Sequence, residues 1–352
     1  MTSGTRESRA VDPTPGSAAG STGFAASFIA ILAAIVAALA LAAATIGAYP
    51  VTFAQMIAAL TGGETTDQTA ATVLLQVRLP RIAAALLVGA SLAAAGAVYQ
   101  GLFRNPLVSP DILGVSTGAG LGAVLGIFLS LPLAFIQLFA FIGGLATVAL
   151  VYVIASSVRG REPVLVLVLA GVVVGSLAGA MISLLKVLAD PYDQLPAITF
   201  WLLGSLASTR ADDVLGVVPA VFIGLVPLVL LRWRINVLSL GDEEARALGV
   251  EAGRVRIIVV AAATLMTASV VAISGVIGWV GLVIPHIARM VVGPNFDRLL
   301  PTSMLMGAGY LLLVDTLART MAQVETPLGI LTAILGAPFF LWLLARGREG
   351  WS

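Results

Sequence analysis

The sequence predicts an all-α membrane protein of about ten transmembrane helices with both termini in the cytoplasm. The 352 residues are 59% hydrophobic and 11% charged, with a mean hydropathy of +1.05, whereas soluble domains carry about 25% charged residues. Several intervals without Asp, Glu, Lys or Arg reach the roughly 20 residues that a membrane-spanning helix needs. Basic residues are also distributed unevenly between alternate loops, which fixes the orientation.

The charge-free intervals place the ten helices in order along the chain. The interval 112–158 is too long for one span, and Pro132 divides it near its middle. A second long interval is divided near Gly275. The predicted helices cover about 24–47, 81–102, 111–130, 134–157, 163–188, 213–231, 255–273, 276–292, 301–319 and 328–345. The interval 194–209 contains Pro196 and Gly/Ser turn signals, which favour a re-entrant or lid segment.

With the N-terminus inside, 14 of the 19 basic residues fall on the inner side and five on the outer side, as the excess of cytoplasmic Lys and Arg requires. Residues 1–23 are rich in Gly, Ser, Thr and Pro and are predicted as a disordered cytoplasmic tail. A cleaved signal peptide is the alternative, but the first apolar run exceeds the usual h-region of about 7–15 residues. Residues 24–346 are predicted as one ten-helix domain and 347–352 as a second cytoplasmic tail.

Composition excludes several classes of function. The chain has no Cys, so disulfides, thiolate metal sites and Cys nucleophiles are excluded. Its one lysine, Lys186, is not part of a Gly-Lys-Ser/Thr P-loop, so ATP hydrolysis is expected on another chain. A net charge of +1 offers no basic field for nucleic acid. The single His286 has no second His or Cys to complete a metal site. We therefore expect no catalytic residue, no metal site and no cofactor.

Few ionisable residues are expected within the membrane, where they are costly and mark function. Asp315 and Arg319 lie four residues apart on one helix face, which predicts a local ion pair. A single buried acid beside an Arg is thin support for the proton relay of a secondary carrier. Lys186 lies near the outer end of its span, where a long side chain can snorkel to the interface.

The largest polar insertion on the inner side is 236–251, between the sixth and seventh spans. Ser239 or Asp242 can cap a short helix there, acidic residues fill its first turn, and Gly249 suits its C-terminal end. The apolar side is predicted to comprise Leu240, Ala247, Leu248 and Val250. A helix that lies on lipid is usually rich in Lys and Arg, so this acidic helix favours a cytoplasmic protein partner.

Small residues recur at every fourth position of the fifth span, at Gly171, Gly175, Gly179 and Ser183. This spacing puts them on one helix face and favours close helix packing. It is also compatible with a smooth wall for a bulky solute.

Several ordered motifs resemble those of one family. They are Arg78-Leu79-Pro80-Arg81 before the second span, 96–118 across the second and third spans, the loop 240–250, 275–289, and 329–338. Together they resemble the FecCD-type permeases of ABC importers for iron-siderophores, haem and cobalamin, over residues 70–345. Lys186 and the outer segment 190–193 do not match the family pattern.

The resemblance implies partners and a mechanism. Two permease subunits, identical or paralogous, would enclose one pathway, two ATPase subunits would dock from the cytoplasm, and an extracytoplasmic binding protein would deliver the solute. The ATPase-coupling residues implied are Gly241, Asp242, Glu243, Glu244, Ala245, Arg246, Ala247, Leu248, Gly249 and Val250. Arg78, Arg81 and Arg319 match the positions that dock the binding protein, and Gly171, Gly175, Gly179 and Ser183 match a pathway wall.

The solute implied is a metal chelate carried across the cytoplasmic membrane. A ferric siderophore is favoured, with haem, cobalamin and molybdate as alternatives on the same machinery. An ATP-independent secondary carrier is the alternative from another class, but such a carrier has no need of an acidic docking helix. An intramembrane hydrolase is disfavoured because the sequence offers no nucleophile–base pair.

Overall fold

The protein is described by a computed structural model over residues 16–47, 49–61, 67–158, 163–322 and 324–346. Within these ranges the chain is helical and contains no strand. The helices are α1 Gly16–Thr45, α2 Phe53–Thr61, α3 Gln68–Thr72, α4 Leu79–Leu102, α5 Val115–Phe128, α6 Leu133–Ser157, α7 Pro163–Leu188, α8 Gln194–Leu203, α9 Ala211–Leu230, α10 Arg232–Leu238, α11 Asp242–Ala247, α12 Ala252–Ser274, α13 Val280–Val292, α14 Phe296–Ala318 and α15 Leu328–Arg346.

Seven helices of the described chain are long and apolar enough to cross a bilayer. They lie at Ala26–Thr45, Gln68–Leu102, Leu133–Ser157, Pro163–Leu188, Ala211–Leu230, Ala252–Ser274 and Phe296–Ala318. The shorter apolar helices α5, α13 and α15 occupy the other three predicted spans. The prediction of an all-α membrane protein is confirmed.

Five predicted helix starts differ by four or more residues from the observed ones. The third and ninth spans begin at Val115 and Phe296 rather than at 111 and 301. Helix α1 begins at Gly16, so the predicted tail 1–23 is helical from there on; the rest of that tail, and 347–352, lie outside the described residues. The second span begins at Gln68 rather than 81, because the Asp67 carboxylate accepts the backbone N–H of Thr69 and Ala70. A π-helical segment, Val73–Arg78, then joins α3 to α4. The eighth span begins only at Val280.

Helix α4 forms the centre of the bundle, and most of its residues are buried against α12, α13 and α14. Two glycine pairs allow this approach. A Cβ on Gly89 would overlap the carbonyl oxygen of Gly307 on α14, and one on Gly96 would overlap that of Gly281 on α13. Small residues that let helix backbones meet are the usual means of close packing between membrane helices.

Three helix ends meet at the outer side of the bundle. The Ser205 backbone N–H donates to the Ser274 carbonyl oxygen (2.9 Å), and the Leu328 N–H donates to the Gly204 carbonyl oxygen (2.9 Å). These bonds join the segment after α8 to the end of α12 and the start of α15. The interval 194–209 therefore contains a short helix and a fixed turn at the outer end, rather than another full span.

Candidate functional site

The short helix α11 lies in the inner loop predicted to dock a partner. It spans Asp242–Ala247, with Asp242, Glu243 and Glu244 in its first turn, where negative charge interacts favourably with the helix dipole. Gly249 follows with a φ of 75°, the left-handed conformation that ends many helices at glycine. The prediction of Ser239 or Asp242 as the N-cap is wrong: Gly241 occupies the N-cap position, and no side chain caps the helix.

Two polar contacts hold this loop to the membrane helices. The Asp242 carboxylate accepts a hydrogen bond from the Arg256 guanidinium on α12 (2.8 Å), and the Arg256 side chain is 8% exposed. Asn236, on α10, accepts the Phe296 backbone N–H (2.7 Å) and donates to the Asn295 side chain (3.1 Å) at the start of α14. The loop is therefore fixed to α12 and α14, so displacement of α11 would be transmitted to both.

The predicted apolar side of this helix divides into two parts. Ala245 and Val250 are buried, whereas Leu240 is 59% and Leu248 53% exposed. Of the four residues predicted for the apolar side, Val250 is therefore packed against the bundle, whereas Leu240, Ala247 and Leu248 are exposed. Glu243, Glu244, Arg246 and Ala247 are exposed as well, so the surface combines negative charge with uncovered leucines.

The arginines of the Arg-Leu-Pro-Arg motif lie at the outer end of the bundle. Arg81 donates through Nε to both carboxylate oxygens of Asp315 (2.9 and 3.0 Å). Its terminal nitrogens bind Glu325, one of them at 3.0 Å. The side chains of Arg81 and Asp315 are 9% and 1% exposed, and that of Glu325 is 28% exposed. One guanidinium thus joins α4 to α14 and to the segment before α15.

Arg78 and Arg319 both bind the carboxyl end of α1. Arg78 donates to the carbonyl oxygens of Ala44 (2.8 Å), Thr45 (3.1 Å) and Tyr49. Arg319 donates to those of Ala43 (2.6 Å) and Ile46 (2.6 Å). The last carbonyl groups of a helix have no partner within the helix, so these arginines satisfy them and hold α1 against the bundle.

The structure brings together the three predicted docking arginines, but with their polar groups directed inward. The predicted ion pair of Asp315 with Arg319 is present, with Arg319 Nε 3.8 Å from the carboxylate, but the shorter contacts of Asp315 are to Arg81. Sequence reasoning missed Glu325 altogether. No spacing rule links it to Arg81, 244 residues earlier, because only the packing of α4 against α14 brings the two together.

The predicted wall on α7 is not uniform. A Cβ on Gly171 would overlap the carbonyl oxygen of Ile112, so this position serves close packing. One on Gly175 would just touch Gly114, and one on Gly179 would meet nothing within 4 Å. Ser183 is exposed, and its hydroxyl donates to the Gly179 carbonyl oxygen (3.0 Å). Towards the outer end, the stripe becomes an open surface that is poor in free hydrogen-bond donors.

No group of three His, Cys, Asp or Glu within the described ranges could hold a metal ion. His286, on α13, is partly buried, and its Nδ1 has no hydrogen-bond partner among the described residues. Two candidate sites of the described chain therefore remain: the inner α11 loop, which is fixed to α12 and α14, and the outer arginine cluster. Neither contains a nucleophile activated by a base.

Comparison with known proteins agrees with this arrangement. Residues 25–346 match the sequence model of the FecCD transport family. The chain belongs to the FecCD transport family. The match includes all the helices from α2 to α15, and with them both candidate sites.

Two named relatives and a solved structure are similar to this chain over most of their length. The molybdate import system permease protein MolB of Haemophilus influenzae is 44% identical over 79% of this chain and 82% of its own. A probable iron chelatin transport system permease protein of Helicobacter pylori is 45% identical over 78% and 83%. The inward-facing structure of a protein assigned to the metal-chelate type of ABC transporter is 40% identical, with a TM-score of 0.83 over 91% of this chain and 99% of that one.

Membership of the FecCD family makes the chain a multi-pass transport permease. The expectation drawn from its motifs is confirmed.

Proposed function

We propose that this chain is the membrane subunit of an ATP-driven importer of the cytoplasmic membrane, and that its solute is a ferric siderophore. The observation that carries the proposal is the acidic inner helix α11, held to α12 by Asp242 and Arg256 and displaying Glu243 and Glu244. It supports docking of an ATPase, because this chain has no P-loop of its own.

The exposed surface of the loop has the composition of a protein interface. Leu240 and Leu248 are more than half exposed and lie beside the acidic turn. In the predicted topology the loop is outside the hydrocarbon core, where uncovered leucines favour a protein partner. We assign residues Gly241 to Val250 to contacts with one ATPase subunit, and two permease copies would bind two ATPase subunits.

Several apolar side chains of α7 are left uncovered by this chain. Val173 is 67%, Leu177 61% and Val187 81% exposed. We propose that part of this surface packs against a second permease subunit, identical or paralogous. The open part of the stripe at Gly179 and Ser183 would then face the pathway between the two copies.

The outer arginine cluster is our proposed docking site for the extracytoplasmic binding protein. Three guanidinium groups, from Arg78, Arg81 and Arg319, stand against the two carboxylates of Asp315 and Glu325, which leaves a surplus of positive charge. Because Arg81 is already paired, a carboxylate of the binding protein reaches it only by displacing Glu325, the more exposed of its two partners.

The substrate assignment is argued from the character of the α7 surface. The Gly179 region offers few fixed donors, which suits a bulky chelate selected mainly by its binding protein. Two relatives of similar identity are named for different solutes, iron chelatin and molybdate. Molybdate is therefore the second candidate solute, while haem and cobalamin are alternatives on the same machinery.

The test is uptake by proteoliposomes that contain the chain with its ATPase and binding protein. Uptake of radioactive ferric siderophore should require ATP and should fall more than tenfold when Glu243 and Glu244 are both changed to Lys. The control is Arg234→Glu, a charge reversal at an exposed inner residue outside the assigned docking segment, which should retain uptake. Uptake without ATP would overturn the proposal in favour of a secondary carrier. ATP-driven uptake of molybdate, without uptake of the ferric siderophore, would overturn only the substrate assignment.

A further inference from the structure

Two adjoining cavities lie on the outer side of the bundle, between α6 and α9 and over the end of α12. The first has a volume of about 370 Å³ and extends towards α8. The second has a volume of about 500 Å³ and extends down the groove between α6 and α9. Gln137, Asp213, Ala272 and Ile273 line both cavities, so the two share one wall. Neither includes a residue of the arginine cluster or of the α11 loop.

The first cavity has an unsatisfied polar end. Thr209 lines it and is 7% exposed, and its hydroxyl oxygen has no hydrogen-bond partner in the described part of the chain. Ser205, Ser208 and Gln137 add further polar groups. A buried hydroxyl without a partner costs free energy, so this end of the cavity suits a polar ligand group.

The charge at the junction of the cavities is negative. Asp212 and Asp213 line the second cavity, and no Lys or Arg is among the described residues that line either one. The Asp213 carboxylate accepts hydrogen bonds from the Gln137 side chain (3.0 Å) and the Arg210 backbone N–H (2.8 Å). A carboxylate has about four acceptor positions, so Asp213 retains capacity for a cationic donor.

The second cavity continues from this charge into an apolar trough. Leu138 and Phe141 of α6 stand opposite Val217 and Ala220 of α9. A Cβ on Gly216 would meet nothing within 4 Å, so the trough is open. From Asp213 to Ala220 it descends about 10 Å along α9, at 1.5 Å per residue. In the predicted topology this path enters the outer leaflet.

We propose that the two cavities form a binding site for an aminophospholipid such as phosphatidylethanolamine. The primary ammonium group of the lipid binds the carboxylates of Asp213 and Asp212. The Thr209 hydroxyl donates a hydrogen bond to a headgroup oxygen, and one acyl chain occupies the trough. The ligand class follows from the combination of a negative polar end and an open apolar trough. A free metal ion has no acyl chain to fill the trough, and an anionic lipid has no positive group to bind the two carboxylates.

The test is native mass spectrometry of the purified full chain with equal amounts of phosphatidylethanolamine and phosphatidylglycerol. We expect about tenfold tighter binding of phosphatidylethanolamine, the ratio that one charge-assisted hydrogen bond supplies. Asp212→Asn, which leaves the Asp213 contacts intact, should reduce this preference, and the double Asp212→Asn, Asp213→Asn variant should abolish it. Asp190→Asn removes an outer carboxylate from outside both cavities and should leave the preference unchanged.

A second pair of variants tests the trough. Gly216→Leu should fill it and lower the binding of phosphatidylethanolamine several-fold, whereas Val218→Leu, on the same helix but outside the trough, should not. Equal binding of the two lipids by the unmodified chain would overturn the proposal, as would an unchanged preference in the double variant. Displacement of the lipid by ethanolamine alone at equal concentration would also overturn it, since that result would indicate a small-cation site.

Discussion

Arg81 and Asp315 form a buried ion pair across the outer end of the bundle, with Arg81 Nε 2.9 and 3.0 Å from the two Asp315 carboxylate oxygens. The pair joins the same two helices, α4 and α14, that meet deeper in the membrane at Gly89 and Gly307. Charge and close packing therefore fix one helix pair at two depths. Loss of either contact should affect stability before it affects any partner.

Arg81→Ala should lower the free energy of unfolding by about 3–5 kcal/mol, because it leaves the Asp315 carboxylate buried without its partner. The measurement is equilibrium unfolding of the purified chain in mixed micelles. The double variant Arg81→Met, Asp315→Leu should recover most of this loss, because well-packed apolar residues can replace a buried ion pair. A single variant as stable as the unmodified chain would contradict the importance of the pair.

Glu325→Gln should strengthen docking of the binding protein several-fold, because a neutral amide competes less well than a carboxylate for Arg81. The stability of the chain should change by no more than about 1 kcal/mol, since the Glu325 side chain is partly exposed. Surface plasmon resonance with the binding protein as analyte measures the affinity. Asp193→Asn removes another outer carboxylate and should have little effect. Equal gains from both variants would indicate general electrostatics rather than exchange at Arg81.

Gly89→Ala should destabilise the bundle by about 1–3 kcal/mol, because the added Cβ overlaps the Gly307 carbonyl oxygen and overpacking has this cost. Gly179→Ala, also within a membrane helix, is the matched control, since nothing lies within 4 Å of its Cβ position. It should leave stability unchanged or raise it by up to about 1 kcal/mol, the usual preference of a helix for Ala. Both are measured by thermal unfolding, and similar losses in the two variants would contradict the assigned packing.

The sequence predicts the helices well because the signal for a span is local. Length without charge, turn residues and the distribution of arginines place each of the ten spans, and Gly249 has the backbone conformation expected at a helix end. The predicted starts were wrong where polar caps decide them, as at Asp67. A capped helix continues past the point where the charge-free interval ends.

The contacts of the site were less accessible to sequence reasoning. The ion pair of Asp315 with Arg319, predicted from spacing along one helix, is present at 3.8 Å. The shorter contacts of Asp315, to Arg81 on another helix, were not predicted. The apolar side predicted for α11 did not distinguish the buried Val250 from the exposed Leu240 and Leu248. Helical periodicity does not continue through the turns that flank a six-residue helix. In both places tertiary packing, rather than local pattern, decides the contact.

Asp242→Ala should uncouple transport, because Asp242 positions α11 through Arg256 rather than contacting the solute. The variant leaves a buried guanidinium without its partner, at a cost of about 1–3 kcal/mol. The informative measurement is the number of solute molecules imported per ATP hydrolysed, which should fall while ATP hydrolysis continues. Asp242→Asn, which can still accept the Arg256 hydrogen bond, should recover part of the coupling. A loss of stability with unchanged coupling would assign Asp242 to folding alone.

The outer contact between Tyr49 and Asp67 should be lost at acid pH. The Tyr49 hydroxyl donates to the Asp67 carboxylate (2.7 Å), and this bond, together with the N–H of Ala70, lowers the pKa of Asp67 below its ordinary value. The pKa of Asp67 is lower in the folded state, so Asp67 contributes fully to stability above the ordinary carboxyl pKa. This contribution is lost as the pH falls through the pKa of the folded state. Hydrogen exchange at Thr69 and Ala70, corrected for intrinsic rates, should therefore lose protection in that range. Asp67→Asn removes the titrating group and should make the protection independent of pH there, whereas the same acid-induced loss in this variant would place the transition elsewhere.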